Sequence, residues 1–219
     1  CPSAYIEVDE WLQKQSTKRV PNRQCSLGVL ELISYLEKHI DGLNIRFVDM
    51  TKGLMEIKDN YESTPAMSYS KFLTQEVDKI DFTPDIIGVS ILFSAAHNSA
   101  IELIKTAKQA WPESTVICGG NHATNMANRL FKCKEIDYIV KGEAELSFTE
   151  FIKCKMANEE CEITGILDRK KLVSSKSEIE EGTKVPKTTR NMSSWKWELS
   201  PLIDDLDELP IGRYQSQDV

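Results

Sequence analysis

Thr115-Val-Ile-Cys-Gly-Gly-Asn-His-Ala-Thr124 is the stretch on which the reading of the fold turns. Its first four residues are apolar or β-branched without alternation, then stop at two glycines. A strand buried on both faces looks like this where it enters a tight turn before a helix. Upstream, Asp85-Ile-Ile-Gly-Val-Ser90 runs on apolar through Ile91-Leu-Phe93 and reads as a second such strand. Between the two, Ile101, Leu103, Ile104 and Ala107 fall at helical spacing from about Asn98 to Ala110, and Trp111-Pro112 halts the run because proline cannot continue a helix. Downstream come a short helix over Ala123–Leu130, a strand over Ile136–Val140, the turn Gly142-Glu143 and a helix over Leu146–Met156. Strands alternating with helices predict right-handed βαβ units and a parallel sheet.

Toward the N-terminus, Leu27, Val29, Leu30, Leu32, Ile33 and Leu36 form a helical stripe, with Ser26 as N-cap and Gly42 as stop. Leu43–Val48 alternates like a strand, and Lys71–Ile80 reads as a second short helix. The fold class expected is α/β, a flavodoxin-like (Rossmann-like) doubly wound parallel sheet with an irregular C-terminal extension. A domain is drawn over residues 1–165 and the extension over 166–219. Ile163–Leu167 offers one more strand, whereas Lys170–Met192 is charged and uneven, a surface linker adding no core. The chain starts at Cys1 and stops at Val219 in mid-phrase, so it reads as a fragment of something longer.

The 27 basic and 34 acidic side chains give a net charge of −7, and no basic stripe is present to neutralise phosphates, so a nucleic-acid partner is not expected. The longest nearly uncharged apolar stretch, Ile86–Ala96, falls well short of the ~20 residues that span a bilayer, so no membrane partner is expected either. The six cysteines lack the C-x-x-C and C-x-x-x-C-x-x-C spacings of zinc and iron–sulfur sites and read as reduced thiols of a cytoplasmic protein.

In a doubly wound sheet, ligands bind outside the carboxyl ends of the strands. Those ends carry Ser90 and Ser94, then Gly119, Gly120, His122 and Thr124, then Gly142 and Glu143. The glycines let a ligand approach the backbone, the hydroxyls donate or accept, and a helix N-terminus near Thr124 supplies free N–H groups. The G-x-G-x-x-G fingerprint and the P-loop are absent, which sets hydride and phosphoryl transfer aside. A broad polar-rimmed slot for a large cofactor fits this pattern; so do glycines that merely serve tight turns.

Gly119-Gly-Asn-His-Ala-Thr124 followed by Asp137-Tyr-Ile-Val-Lys-Gly-Glu-Ala-Glu145 resembles the cobalamin-binding (vitamin B12-binding) domain of cobalamin-dependent radical SAM enzymes. Cys25-Ser-Leu-Gly-Val-Leu-Glu-Leu-Ile-Ser-Tyr-Leu-Glu37, Pro84–Ser90 and Ile203-Asp-Asp-Leu-Asp-Glu-Leu-Pro210 resemble further phrases of that family in family order. The resemblance implies a module that holds cobalamin through the eight residues named above. It implies also that the cobalamin is presented to a C-terminal radical SAM domain, where S-adenosylmethionine and a [4Fe–4S] cluster would sit. That domain's cysteine triplet is absent, so the fragment is not catalytic alone. Where the methionine-synthase branch has Asp-x-His-x-x-Gly, this chain reads Asp49-Met-Thr-Lys-Gly53, so the resemblance implies no histidine from the chain as cobalt's lower ligand and no metal-ligating residue. His39 reads as a helix-end residue, His97 as a possible ligand contact and His122 as an orienter of the Gly-Gly turn. The competing reading is a flavodoxin-like regulatory or binding module for a flavin or nucleotide, or for no ligand; an enzyme using Cys118 or Ser94 as nucleophile is the third.

Overall fold

The computed structural model describes residues 27–50, 52–54, 68–160, 162–170, 199–205 and 208–210. The proposed Ser26 cap and nearly all of the expected linker lie outside the described residues.

The elements follow the expected order. Helix α1 (Leu27–His39) and helix α2 (Tyr69–Asp78) precede strand β1 (Ile86–Ser90). A one-turn 3-10 helix (Ser94–Ala96) leads into α3 (His97–Ala110). Then come β2 (Thr115–Gly119), α4 (Asn121–Leu130), β3 (Tyr138–Val140), α5 (Glu145–Met156) and β4 (Ile166–Asp168). The sheet order is β1-β2-β3-β4. β1, β2 and β3 are parallel, with Ser90 level with Gly119, and β4 runs antiparallel against β3.

Alternation across β2 explains why the sheet is covered on both faces. Val116 and Cys118 join a core with Ile104 of α3, Ala127 and Leu130 of α4, and Ile139. Ile117 points the other way, into a cluster with Leu36 of α1 and Phe151 and Ile152 of α5. Tyr69, Phe72 and Leu73 of α2 form a third cluster that packs on Leu103 of α3. The doubly wound class is thus the one observed.

Three expectations are corrected. Leu43–Val48 shows the alternating exposure of a strand, but no hydrogen-bonded neighbour exists for it among the described residues and it forms no ladder. An apolar alternation makes a strand only when a partner takes its backbone groups. β1 is an edge strand among the described residues and leaves Gly88 and Ser90 exposed, so it is not buried on both faces. Its last ladder bond runs from the Ile91 N–H to the Gly119 carbonyl (2.8 Å), and beyond it the Ile91 carbonyl accepts from His122 N–H (3.0 Å) instead of from a strand. Finally, Cys154 is disulfide-bonded, unlike the expected reduced thiol. It sits near the open end of α5, whereas Cys118 and Cys133 are sealed in the core and free.

Asp137 anchors the far end of the sheet, away from the slot. Its carboxylate accepts from Val116 N–H at 2.8 Å and lies 3.6 Å from the Lys108 ammonium. Arg169 donates to the carbonyls of Ile136 and Cys133, tying β4 to the approach of β3. β4 therefore belongs to the sheet although it falls in the stretch assigned to the extension. Part of that extension returns as well: Ser200 N–H donates to the Lys141 carbonyl at 2.8 Å, and Leu199 lies against Gly142.

Candidate functional site

The eight sequence-predicted residues sit on the turns that leave the carboxyl ends of β1, β2 and β3. Their contacts divide them into three groups.

The first is a line of side chains. Ser94 Oγ lies 3.0 Å from His122 Nδ1, and His122 Nε2 lies 2.9 Å from His97 Nδ1. The 3-10 turn and the first turn of α3 place Ser94 and His97 three residues apart, hence on one face. His122 reaches them from the first turn of α4, where its own N–H is fixed to the Ile91 carbonyl. The His122 side chain is almost wholly buried at 4% exposure, and the two rings meet edge to face with centroids 5.1 Å apart. Burial, and after it the nearby Arg129 guanidinium, holds the pKa of both histidines below the usual 6.5. Both are neutral at neutral pH.

The second group is the glycine turn. Gly120 has φ +92° and ψ 171°, a region open essentially to glycine alone. A Cβ there would sit 2.8 Å from the Ile91 carbonyl oxygen. Gly120 is therefore required by the chain itself, whatever binds nearby. Gly119 differs: a Cβ built on it meets nothing within 4 Å. It leaves a flat, side-chain-free patch of backbone at the end of the central strand.

Thr124 and Gly142 make up the third group. The Thr124 hydroxyl accepts from Gly142 N–H at 3.0 Å and so laces the β2–α4 turn to the β3–α5 turn. Gly142 has φ +85° and carries Leu199 above it. Glu143 is exposed, and no contact joins it to Ser94, His122 or Thr124. Ser90 is exposed at the end of β1. Leu92 and Phe93, 54% and 68% exposed, flank the line of Ser94 and the histidines.

Sequence reasoning undervalued His97, whose signal was its three-residue spacing from Ser94. It missed Glu145, in the first turn of α5. Partial burial, then the neighbouring carboxylates of Glu143 and Glu31, pushes the Glu145 pKa above 4.5 against the pull of its backbone hydrogen bonds. An acid whose pKa is raised by folding costs stability once pH climbs past its unfolded value. Glu145→Gln is expected to melt higher than wild type at about pH 7 and to match it near pH 4, measured by thermal denaturation at both.

The arrangement has the parts a large ligand needs: an open backbone patch at Gly119, a fixed hydroxyl at Ser94, a supported turn at Thr124 and apolar cover at Leu92 and Phe93. Three backbone donors near Ser94 are engaged within the chain: Ala96 N–H on Phe93, His122 N–H on Ile91, Thr124 N–H on Gly120. Among the described residues no group of three or more His, Cys, Asp or Glu is placed to hold a metal ion, and no helix is long and apolar enough to cross a membrane.

Residues 73–152 match the B12 binding domain family, an interval containing every candidate residue from Ser90 to Glu143. Over 134 residues the chain is 31% identical to an uncharacterized methyltransferase of Pyrococcus horikoshii, covering 61% of this chain and 25% of that protein. It is 25% identical over 170 residues to the cytidylyl-2-hydroxyethylphosphonate methyltransferase of Streptomyces wedmorensis, covering 73% of this chain and 30% of that protein. Among solved structures, the radical S-adenosylmethionine methyltransferase TsrM of Kitasatospora setae superposes with a TM-score of 0.51 at 17% identity, over 69% of this chain and 27% of that one. The chain spans about a quarter to a third of the length of these relatives.

Proposed function

We propose, on the premise that residues 73–152 are a B12-binding domain related to methyltransferases, that this chain binds cobalamin across the turns after β1, β2 and β3. In the same reading it presents that cobalamin to a radical SAM domain of a longer polypeptide, for methyl transfer or a related radical reaction. The observation that carries the reading is the coincidence of the family match with the open backbone patch at Gly119. A corrin side chain or nucleotide tail needs a surface without Cβ atoms, and Gly119 supplies one at the end of the central strand.

When bound, cobalamin would supply the alkyl-transfer chemistry of its cobalt. The residues of this chain supply placement. Ser94 and Thr124 offer hydroxyls, Gly119 and Gly142 offer bare backbone, and Leu92 and Phe93 keep water from the rim. S-adenosylmethionine and a [4Fe–4S] cluster belong, in this reading, to the radical SAM domain and not to these residues.

The chain's histidines are engaged with one another or with the backbone. His39 Nδ1 pairs with the Tyr35 carbonyl at 2.7 Å, and His97 with His122. Thr51 stands where the methionine-synthase pattern has its histidine, so no histidine of this chain is expected beneath the cobalt. The experiment is to mix the protein with hydroxocobalamin, desalt it and record the visible spectrum, then reduce to Co(II) and record electron paramagnetic resonance. Retained colour with no nitrogen hyperfine splitting from a protein imidazole is expected. Protein that elutes colourless, or that retains a flavin in preference, overturns the reading.

A further inference from the structure

We infer that His97, acting through His122, decides whether the Ser94 hydroxyl meets the slot as a hydrogen-bond donor or as an acceptor. The inference rests on the reading of the slot as the cobalamin site. It concerns a positioning residue, since His97 reaches the slot only through His122 and Ser94.

The number of ring protons limits how the line can be bonded. A neutral imidazole has one N–H and one bare nitrogen. The 2.9 Å contact between His97 Nδ1 and His122 Nε2 needs one of each, and so does the 3.0 Å contact between His122 Nδ1 and Ser94 Oγ. Only two arrangements satisfy both. In one, Ser94 O–H donates to His122 Nδ1, His122 Nε2–H donates to His97 Nδ1, and the Ser94 oxygen faces the slot as an acceptor. In the other, His97 Nδ1–H donates to His122 Nε2, His122 Nδ1–H donates to Ser94, and the Ser94 O–H is free to donate outward. Passing from the first to the second moves one proton along each hydrogen bond. It releases one proton from His97 Nε2, while Ser94 takes one from water or ligand.

The surroundings favour a neutral line. His122 is buried, and the charged group facing both rings is Arg129 of α4, which together with burial disfavours imidazolium. Protonating His97 alone gives it N–H groups at both nitrogens and forces the donor arrangement. Protonating both rings sets N–H against N–H and breaks the link, so the line survives the pH at which a free imidazole titrates and fails only below it, where the second ring is charged.

The test has two arms. In the first, the imidazole nitrogens of 15N-labelled protein are followed by NMR for wild type, His97→Ala and His97→Asn, without cofactor. A single His122 tautomer is expected in wild type, a mixture in His97→Ala, and recovery in His97→Asn, whose amide can occupy the place of Nδ1. In the second, hydroxocobalamin is titrated against the same proteins across that pH range. His97→Ala is expected to bind about fivefold more weakly, with a flattened pH profile, and His97→Asn to regain affinity. Unchanged His122 nitrogen shifts and unchanged affinity in His97→Ala overturn the inference. Wild-type protein that takes up no hydroxocobalamin refutes the proposed function instead, and the first arm still decides whether His97 governs His122.

Discussion

Gly120→Ala is expected to lower the unfolding free energy by about 3 kcal/mol, the combined cost of a backbone region closed to alanine and of an overpacked contact. Gly120 adopts φ +92° and ψ 171°, and the new methyl would lie 2.8 Å from the Ile91 carbonyl oxygen. That oxygen is no flexible side-chain tip. It accepts from His122 N–H, and the Ile91 N–H is held by the Gly119 carbonyl. The methyl must therefore push apart the two hydrogen bonds that bring His122 beneath Ser94. A loss of this size is a large share of a typical domain's 5–15 kcal/mol, roughly. It would be read as a fall in the urea midpoint without a change of slope. Loss of cobalamin binding in this variant would follow from the damaged turn, so it does not report on ligand contact. A midpoint equal to wild type would show that the turn is not held as described.

Gly119→Val is expected to do the reverse, weakening the binding of hydroxocobalamin while leaving folding intact. Gly119 ends β2, a setting that suits a β-branched residue. A Cβ there meets nothing within 4 Å, so the branch point of the new side chain finds open space. A ligand lying on that patch would collide with it. Overpacking of 1–3 kcal/mol, roughly, corresponds to a loss of about ten- to a hundredfold in affinity. The checks are a visible-spectrum titration beside far-ultraviolet circular dichroism and a urea midpoint. Full-strength binding by a normally folded Gly119→Val would move the cobalamin site away from the end of β2. Together the two glycines separate a residue needed by the chain from one available to a ligand, which adjacency in sequence conceals.

Much of this architecture follows from local pattern. The stripe from Leu27 to Leu36, the apolar run of Thr115–Cys118 and the proline after Trp111 each act within a few residues, so helix α1, strand β2 and the end of α3 could be read directly. The Gly-Gly turn, and the family resemblance it carries, are local in the same way, and residues 73–152 bear that resemblance out. What local pattern cannot carry is partnership. Leu43–Val48 alternates but has no neighbouring strand among the described residues. β1 has the composition of a buried strand but lies at the edge, and the direction of β4 is set by the strand it meets. The same holds for the site. Ser94 and His97 lie 28 and 25 residues before His122, and nothing in that spacing announces two hydrogen bonds in line. Helices, parallel strands and the glycine turn are legible from local pattern, because periodicity and backbone freedom belong to single segments. Which strand stands at the edge, which glycine the chain needs, and that two histidines line up on Ser94 by hydrogen bonds emerge only from the folded chain, because those are facts about pairs of segments brought together by burial.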